Sequence, residues 1–173
     1  MARLKLARLA QRLNACCGQP LPALILMTTD DKRLPDPLAA AQALPRGSAV
    51  ILRHRDDEER AHLGEALVKL TRQSNLMLLI AGDTGLARRL NADGVHFSES
   101  QIDEVAPCRT RHPNWIITAA AHSERALLRA KRAGADASLF APVFPTKSHP
   151  RKSAFGLTRF RLVAARAPLP LYA

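Results

Sequence analysis

Leu76-Met77-Leu78-Leu79-Ile80-Ala81 is an unbroken apolar run, and Gly94-Val95-His96-Phe97 is a second, shorter one. Both have the length of a buried strand. Asp83–Leu90 lies between them and reads as a short helix. Strand, helix, strand within so few residues is the repeat of an α/β protein. The absence of polar alternation in the first run suits a parallel strand covered on both faces.

The repeat extends in both directions. Upstream, Leu21–Thr29 and Ser48–Leu52 read as strands. Pro35–Leu44 is expected to be a helix with proline near its start. Asp56–Arg72 is expected to be a longer helix, with acids at its beginning and bases at its end, as the macrodipole favours. Downstream, Gln101–Cys108 is a weak helix, Trp115–Ala121 a strand, and Ser123–Ala133 a helix capped by Ser123. Ala137–Phe144 is a strand, Leu157–Ala165 a helix, and Leu169–Ala173 the start of a seventh strand. Met1–Gly18 forms a basic N-terminal helix, with Leu6, Leu9 and Leu13 on one stripe; a targeting segment would look similar, but a helix packed on the domain is the preferred reading.

Strands alternating with helices predict a parallel sheet with a helical cover. Seven such units exceed an ordinary small doubly wound sheet, which is the second choice. The expectation is a single domain over residues 1–173: a TIM-type (β/α)8 barrel lacking its last βα unit in this chain. Such a barrel has two unpaired edges, which further residues or a second subunit in a homo-oligomer would cover. A dinucleotide-binding sheet would want a glycine-rich loop after its first strand, and Thr28-Thr29-Asp30-Asp31 is not one.

Composition narrows the function. The chain has 173 residues, 47% of them hydrophobic, enough for one well-filled core. No apolar run approaches the roughly 20 residues of a membrane span, so a membrane is not expected among its partners. Three cysteines, two of them adjacent, make no disulfide framework, and a cytoplasmic setting follows. The formal charge of +11 suits phosphorylated small molecules or a solvated basic surface. An aromatic fraction of 4% leaves few stacking platforms and argues against nucleic acid.

In barrels of this kind, chemistry sits where the strands end. Arg53-His54-Arg55 follows the second strand, Gly82-Asp83 the third, and His122 the fifth. Pro145-Thr146-Lys147-Ser148-His149 follows the sixth. Cations and hydroxyls gathered there would trap an anion with several oxygens. Each residue also has a plainer reading: Asp83 as a helix cap, Thr146 and Ser148 as turn residues, His122 as a structural histidine.

Several short motifs occur in a telling order. Ala92-Asp93-Gly94-Val95-His96 resembles the A-D-G-V-H segment of thiamine phosphate synthases, and Ala141-Pro142-Val143-Phe144-Pro145-Thr146 resembles their G-P-V-F-P-T. Ala121-His122-Ser123, Ala133-Gly134-Ala135-Asp136 and Gly156-Leu157 fall in matching places. The resemblance implies a (β/α)8 barrel that joins a pyrimidine diphosphate to a thiazole phosphate with Mg2+. It puts Arg53 at the arginine of the family's Q-L-R-E-K and Arg55 at its lysine. Thr146 and Ser148 fall at the T-x-T hydroxyls that hold phosphate, with Lys147 between them and His149 where a lysine usually follows. Asp83 falls at a metal-binding aspartate, given a loop one residue shorter.

The chain departs from that pattern at Ile51, where the family has glutamine, at Gln101, where a second metal-binding aspartate is expected, and at Ala120, where it has serine. The loss of that glutamine and of the family's N-D pair favours a second reading, the sister activity of thiazole tautomerase. His122 matches the histidine those enzymes use, and the isomerisation needs a proton shuttle rather than a metal. A third reading is a non-catalytic barrel that binds a phosphorylated ligand.

Overall fold

The computed structural model describes residues 2–15, 21–30, 34–54, 56–145 and 154–173. Among them are seven helices and seven strands. The helices are α1 (Ala2–Ala15), α2 (Pro37–Gln42), α3 (Asp57–Ser74), α4 (Thr84–Arg89), α5 (Val105–Arg111), α6 (Glu124–Ala133) and α7 (Gly156–Arg166). The strands are β1 (Ile25–Met27), β2 (Ala49–Leu52), β3 (Met77–Ala81), β4 (Gly94–Phe97), β5 (Ile116–Ala121), β6 (Ala137–Phe140) and β7 (Leu171–Tyr172). A 3-10 helix, Glu99–Glu104, runs into α5 and lengthens the weak helix expected there. The chain divides into two compact units, Met1–Val95 and His96–Ala173.

In the first unit, β1, β2 and β3 pair in parallel, with Met27 beside Ile51 and Ile51 beside Leu79. Successive side chains alternate between faces, and α3 identifies which face is which. A Cβ on Gly64 of α3 would lie 3.2 Å from Leu52 Cδ2, so Leu52 points at the helix. Val50, Leu78 and Ile80 share that face by register, while Met27, Ile51 and Leu79 lie on the far face. Apart from the half-buried Met27, both sets are buried, as parallel strands covered on both sides should be. Each large aliphatic side chain buried there contributes about 1.5–3 kcal/mol.

Local chemistry fixes the helix ends. Asp36, Asp56, Asp83 and Ser123 each accept a backbone N–H in the first turn of α2, α3, α4 and α6. At the other end, Asn75 closes α3 with φ 54°, and Gly134 closes α6 with φ 96°. The left-handed conformation at Gly134 explains the glycine there. In α1, Leu6 and Leu9 of the expected stripe are both 55% exposed, while Gln11 lies 3.6 Å from where a Cβ on Gly47 would stand. The segment from Cys16 to Gly18, where that helix was expected to end, lies outside the described residues.

In the second unit, β5, β6 and β7 are parallel, with Ala119 beside Ser138 and Ala121 beside Phe140. Phe140 stacks on Phe155 at 4.7 Å, just before α7, and also meets Phe160 within it. Phe140, Ser138, Ala119 and Ala121 therefore form the helix face. Thr118, Ala120, Ala137 and Leu139 form the far face. His96 of β4 adds to that far face, its Nδ1 lying 2.9 Å from Thr118 Oγ1.

One device occurs in both units. Asp93, just before β4, accepts the Leu78 N–H through its carboxylate at 2.7 Å and returns its own N–H to the Leu78 carbonyl. Asp136, just before β6, does the same to Ile117 and also binds the Arg109 guanidinium at 2.6 Å. The aspartates of the Ala-Asp-Gly and Ala-Asp-Ala motifs thus lock each strand onto the one before it.

Candidate active site

Arg53 and His54 follow β2 directly, and the alternation of the strand separates them. Arg53 continues the far face behind Ile51, with its guanidinium 3.5 Å from Met27 Sδ, and is exposed. His54 continues the helix face behind Leu52. There Thr28, fully buried, ties the two strand ends together: its Oγ1 accepts the Arg53 N–H at 3.0 Å and lies 3.0 Å from His54 Nδ1. A hydroxyl oxygen has two lone pairs, so either partner donates in the contact with His54 Nδ1, according to the tautomer of the ring. Asp30 stands 3.8 Å from the same Nδ1. The triplet that reads in sequence as one basic cluster is therefore divided between a rim cation and a latch within the fold. Arg55 lies outside the described residues.

Asp83 is the N-cap of α4. Its Oδ1 accepts the Leu86 N–H at 2.8 Å, just after Gly82 turns the chain with φ 65°. The plainer reading of this residue is thus present in the structure.

In the second unit His122 follows β5 on the far face, behind Ala120 and Thr118. Its Nδ1 lies against the Ala141 carbonyl oxygen at the end of β6. A carbonyl can only accept, so Nδ1 carries the proton and the neutral ring keeps its lone pair on Nε2. The His122 N–H donates to Glu99 Oε2 at 2.6 Å. Glu99, the first residue of the 3-10 helix, was missed in the sequence; its only signal there was an acid just past the end of β4. Thr146, Lys147, Ser148 and His149 lie outside the described residues, so the expected hydroxyl pair gains no geometry here.

The described residues do not fit a protein-held divalent cation. Gln101 Oε1 accepts from both N and Oγ of Ser98, at 3.3 and 2.9 Å. Asp103 pairs with Arg129 at 2.9 Å. Asp83 has one oxygen committed to its helix. No three His, Cys, Asp or Glu side chains among the described residues gather closely enough to hold a metal.

A family model described as thiamine monophosphate synthase matches residues 24–173. The chain belongs to that family. A thiamine-phosphate synthase of Chlorobium luteolum is 31% identical over 157 residues, which cover 88% of this chain and 73% of the relative. One of Chromobacterium violaceum is 33% identical over 141 residues, 79% of this chain and 67% of the relative. Among solved structures, a thiamine phosphate pyrophosphorylase from Pyrococcus furiosus superposes with a TM-score of 0.67 at 23% identity, covering 88% of this chain and 73% of that one. That likeness shows the fold class expected from the sequence, a TIM-type α/β barrel.

Proposed function

We propose that this chain carries out the thiamine phosphate synthase reaction, joining a pyrimidine diphosphate to a thiazole phosphate with loss of diphosphate. The observation that carries the reading is Arg53 at the C-terminal end of β2, on the face away from α3, in a chain of this family. As diphosphate departs, negative charge collects on its oxygens. A guanidinium fixed at the strand end stabilises that charge more than it stabilises the substrate. Its planar fork also matches phosphate geometry. Arg55, Thr146, Lys147, Ser148 and His149 are proposed to complete the phosphate site.

Mg2+ belongs to this proposal only as an ion carried by the substrate. Magnesium commonly binds through one or two carboxylates and substrate phosphates, and Asp83 is the carboxylate nominated for it. The reducing cytoplasm is proposed as the setting, with buried Cys108 a free thiol. No helix among the described residues is long and apolar enough to cross a membrane. Homo-oligomerisation is also part of the proposal, and light scattering tests it.

One observation favours a second reading. Nδ1 of His122 donates to the Ala141 carbonyl, so the neutral form of the ring has its lone pair on Nε2, as a general base needs for moving a proton on carbon. This suits isomerisation of a thiazole phosphate, which needs neither metal nor diphosphate.

A product assay separates the two. The chain is supplied with pyrimidine diphosphate and thiazole phosphate, with Mg2+ or with chelator. Thiamine phosphate formed by the wild type and lost in Arg53→Ala supports the synthase reading. No thiamine phosphate from folded protein, together with chelator-resistant isomerisation of the thiazole, overturns it in favour of the second.

A further inference from the structure

The segment after β4 contains the residues around which the family resemblance expects a second metal-binding aspartate. In this chain its polar groups are engaged otherwise. Ser98 and Gln101 close on each other, and Asp103 reaches Arg129 on α6. The one carboxylate of the segment that turns toward the strand ends is Glu99, and it binds the backbone of His122.

We propose that Glu99 is a positioning residue for His122, and that the segment Ser98–Asp103 is a clamp for a proton-transferring histidine rather than a metal site. The contact at 2.6 Å is a charge-assisted hydrogen bond from the His122 N–H to Glu99 Oε2. Residue 122 is the first beyond β5, where strand pairing no longer fixes the main chain. Glu99 supplies the missing acceptor. With the backbone held there, the ring can reach across to the Ala141 carbonyl, and that second bond puts the proton on Nδ1. Two anchors therefore fix the ring, one through its backbone and one through Nδ1, and together they aim Nε2. The Ser98–Gln101 closure holds the first turn of the 3-10 helix, so Glu99 projects from a fixed base.

The inference rests on the reading of His122 as a proton-handling group, and the test keeps the two apart. Full-length protein with nitrogen-15 histidine is prepared as wild type, Glu99→Ala, Glu99→Gln and His122→Asn, the last to assign the His122 signal. Ring nitrogen shifts report which nitrogen carries the proton. Isomerisation of thiazole phosphate is followed in parallel. In wild type the His122 signal should be that of the Nδ1–H form. Glu99→Ala should shift it toward a mixture of forms and lower kcat about tenfold while changing KM less than threefold. Glu99→Gln, whose amide oxygen still accepts from the His122 N–H, should restore most of both.

An unchanged His122 signal in folded Glu99→Ala overturns the clamp. So does an equal loss of kcat in the alanine and glutamine variants. If the signal shifts as expected but wild type and His122→Asn are equally inactive, the clamp stands and the catalytic reading of His122 fails.

Discussion

His54 and His122 are the same residue type, each just past the C-terminal end of a parallel strand, yet each emerges on a different side of its strand and meets a different partner. His54 lies on the helix face of β2, and its Nδ1 lies 3.0 Å from the Thr28 hydroxyl oxygen. His122 lies on the far face of β5, and its Nδ1 donates to the Ala141 carbonyl. The first ring is bound into the wall of its unit. The second lies on the side of β5 away from Phe140 and α7, with Nδ1 held by the Ala141 carbonyl. What separates them is the parity of the strand and the partner at Nδ1. A titratable residue after a strand is therefore an incomplete signal: the face on which it emerges decides whether it can meet a substrate.

The largest effect should come from removing the histidine on the far face. His122→Ala is expected to lower thiazole isomerisation by at least about 100-fold, the usual contribution of a positioned general base. His54→Gln should change it by less than about threefold. Comparable losses in both would erase the distinction between the faces. Next comes Arg53, on the face of its own unit that lies away from α3. Arg53→Ala should lower kcat/KM for thiamine phosphate formation by about 100-fold, and Arg53→Lys should recover only part of this, because an ammonium lacks the guanidinium fork. A fall confined to KM would mean that Arg53 binds substrate and transition state alike.

The fold was legible because its signals are local. Apolar runs such as Leu76–Ala81 give the strands, and cap residues such as Asp56 and Ser123 give the helix starts. Arg53 and His122 could be nominated because the ends of strands are visible in the sequence. The separation of Arg53 from His54 was not, since parity matters only once a helix is known to cover one face, and Gly64 gives no hint of its contact with Leu52. Glu99 was missed for a different reason. Its partner is the backbone N–H of His122, 23 residues away, and backbone groups have no signature in sequence. Asp93 and Asp136 were noticed as motif letters, but their bonds to Leu78 and Ile117 appear only in the structure.

Thr28→Val gives a smaller effect, on stability rather than activity. The methyl group fits the volume but leaves the Arg53 N–H and His54 Nδ1 without their partner. The cost should be about 1–3 kcal/mol by urea denaturation. Activity of the folded protein should stay within a few-fold, provided His54 only latches the fold. A large activity loss at unchanged stability would instead bring His54 to the substrate.

The smallest effect tests the parity argument at its root. A Cβ on Gly64 would lie 2.6 Å from Leu90 Cδ1 and 3.2 Å from Leu52 Cδ2. Gly64→Ala gains about 1 kcal/mol of helix propensity and loses about 1–3 kcal/mol to crowding, so the net change should be small and unfavourable. Leu52→Ala removes one of the crowding groups. If Leu52 faces α3, the two substitutions together should cost less than their sum, by at least about 0.5 kcal/mol. Simple additivity would place Leu52 elsewhere and move His54 to the other face with it. Arg53 would then be the residue turned toward the helices, and the assignment of the rim cation would have to be reversed.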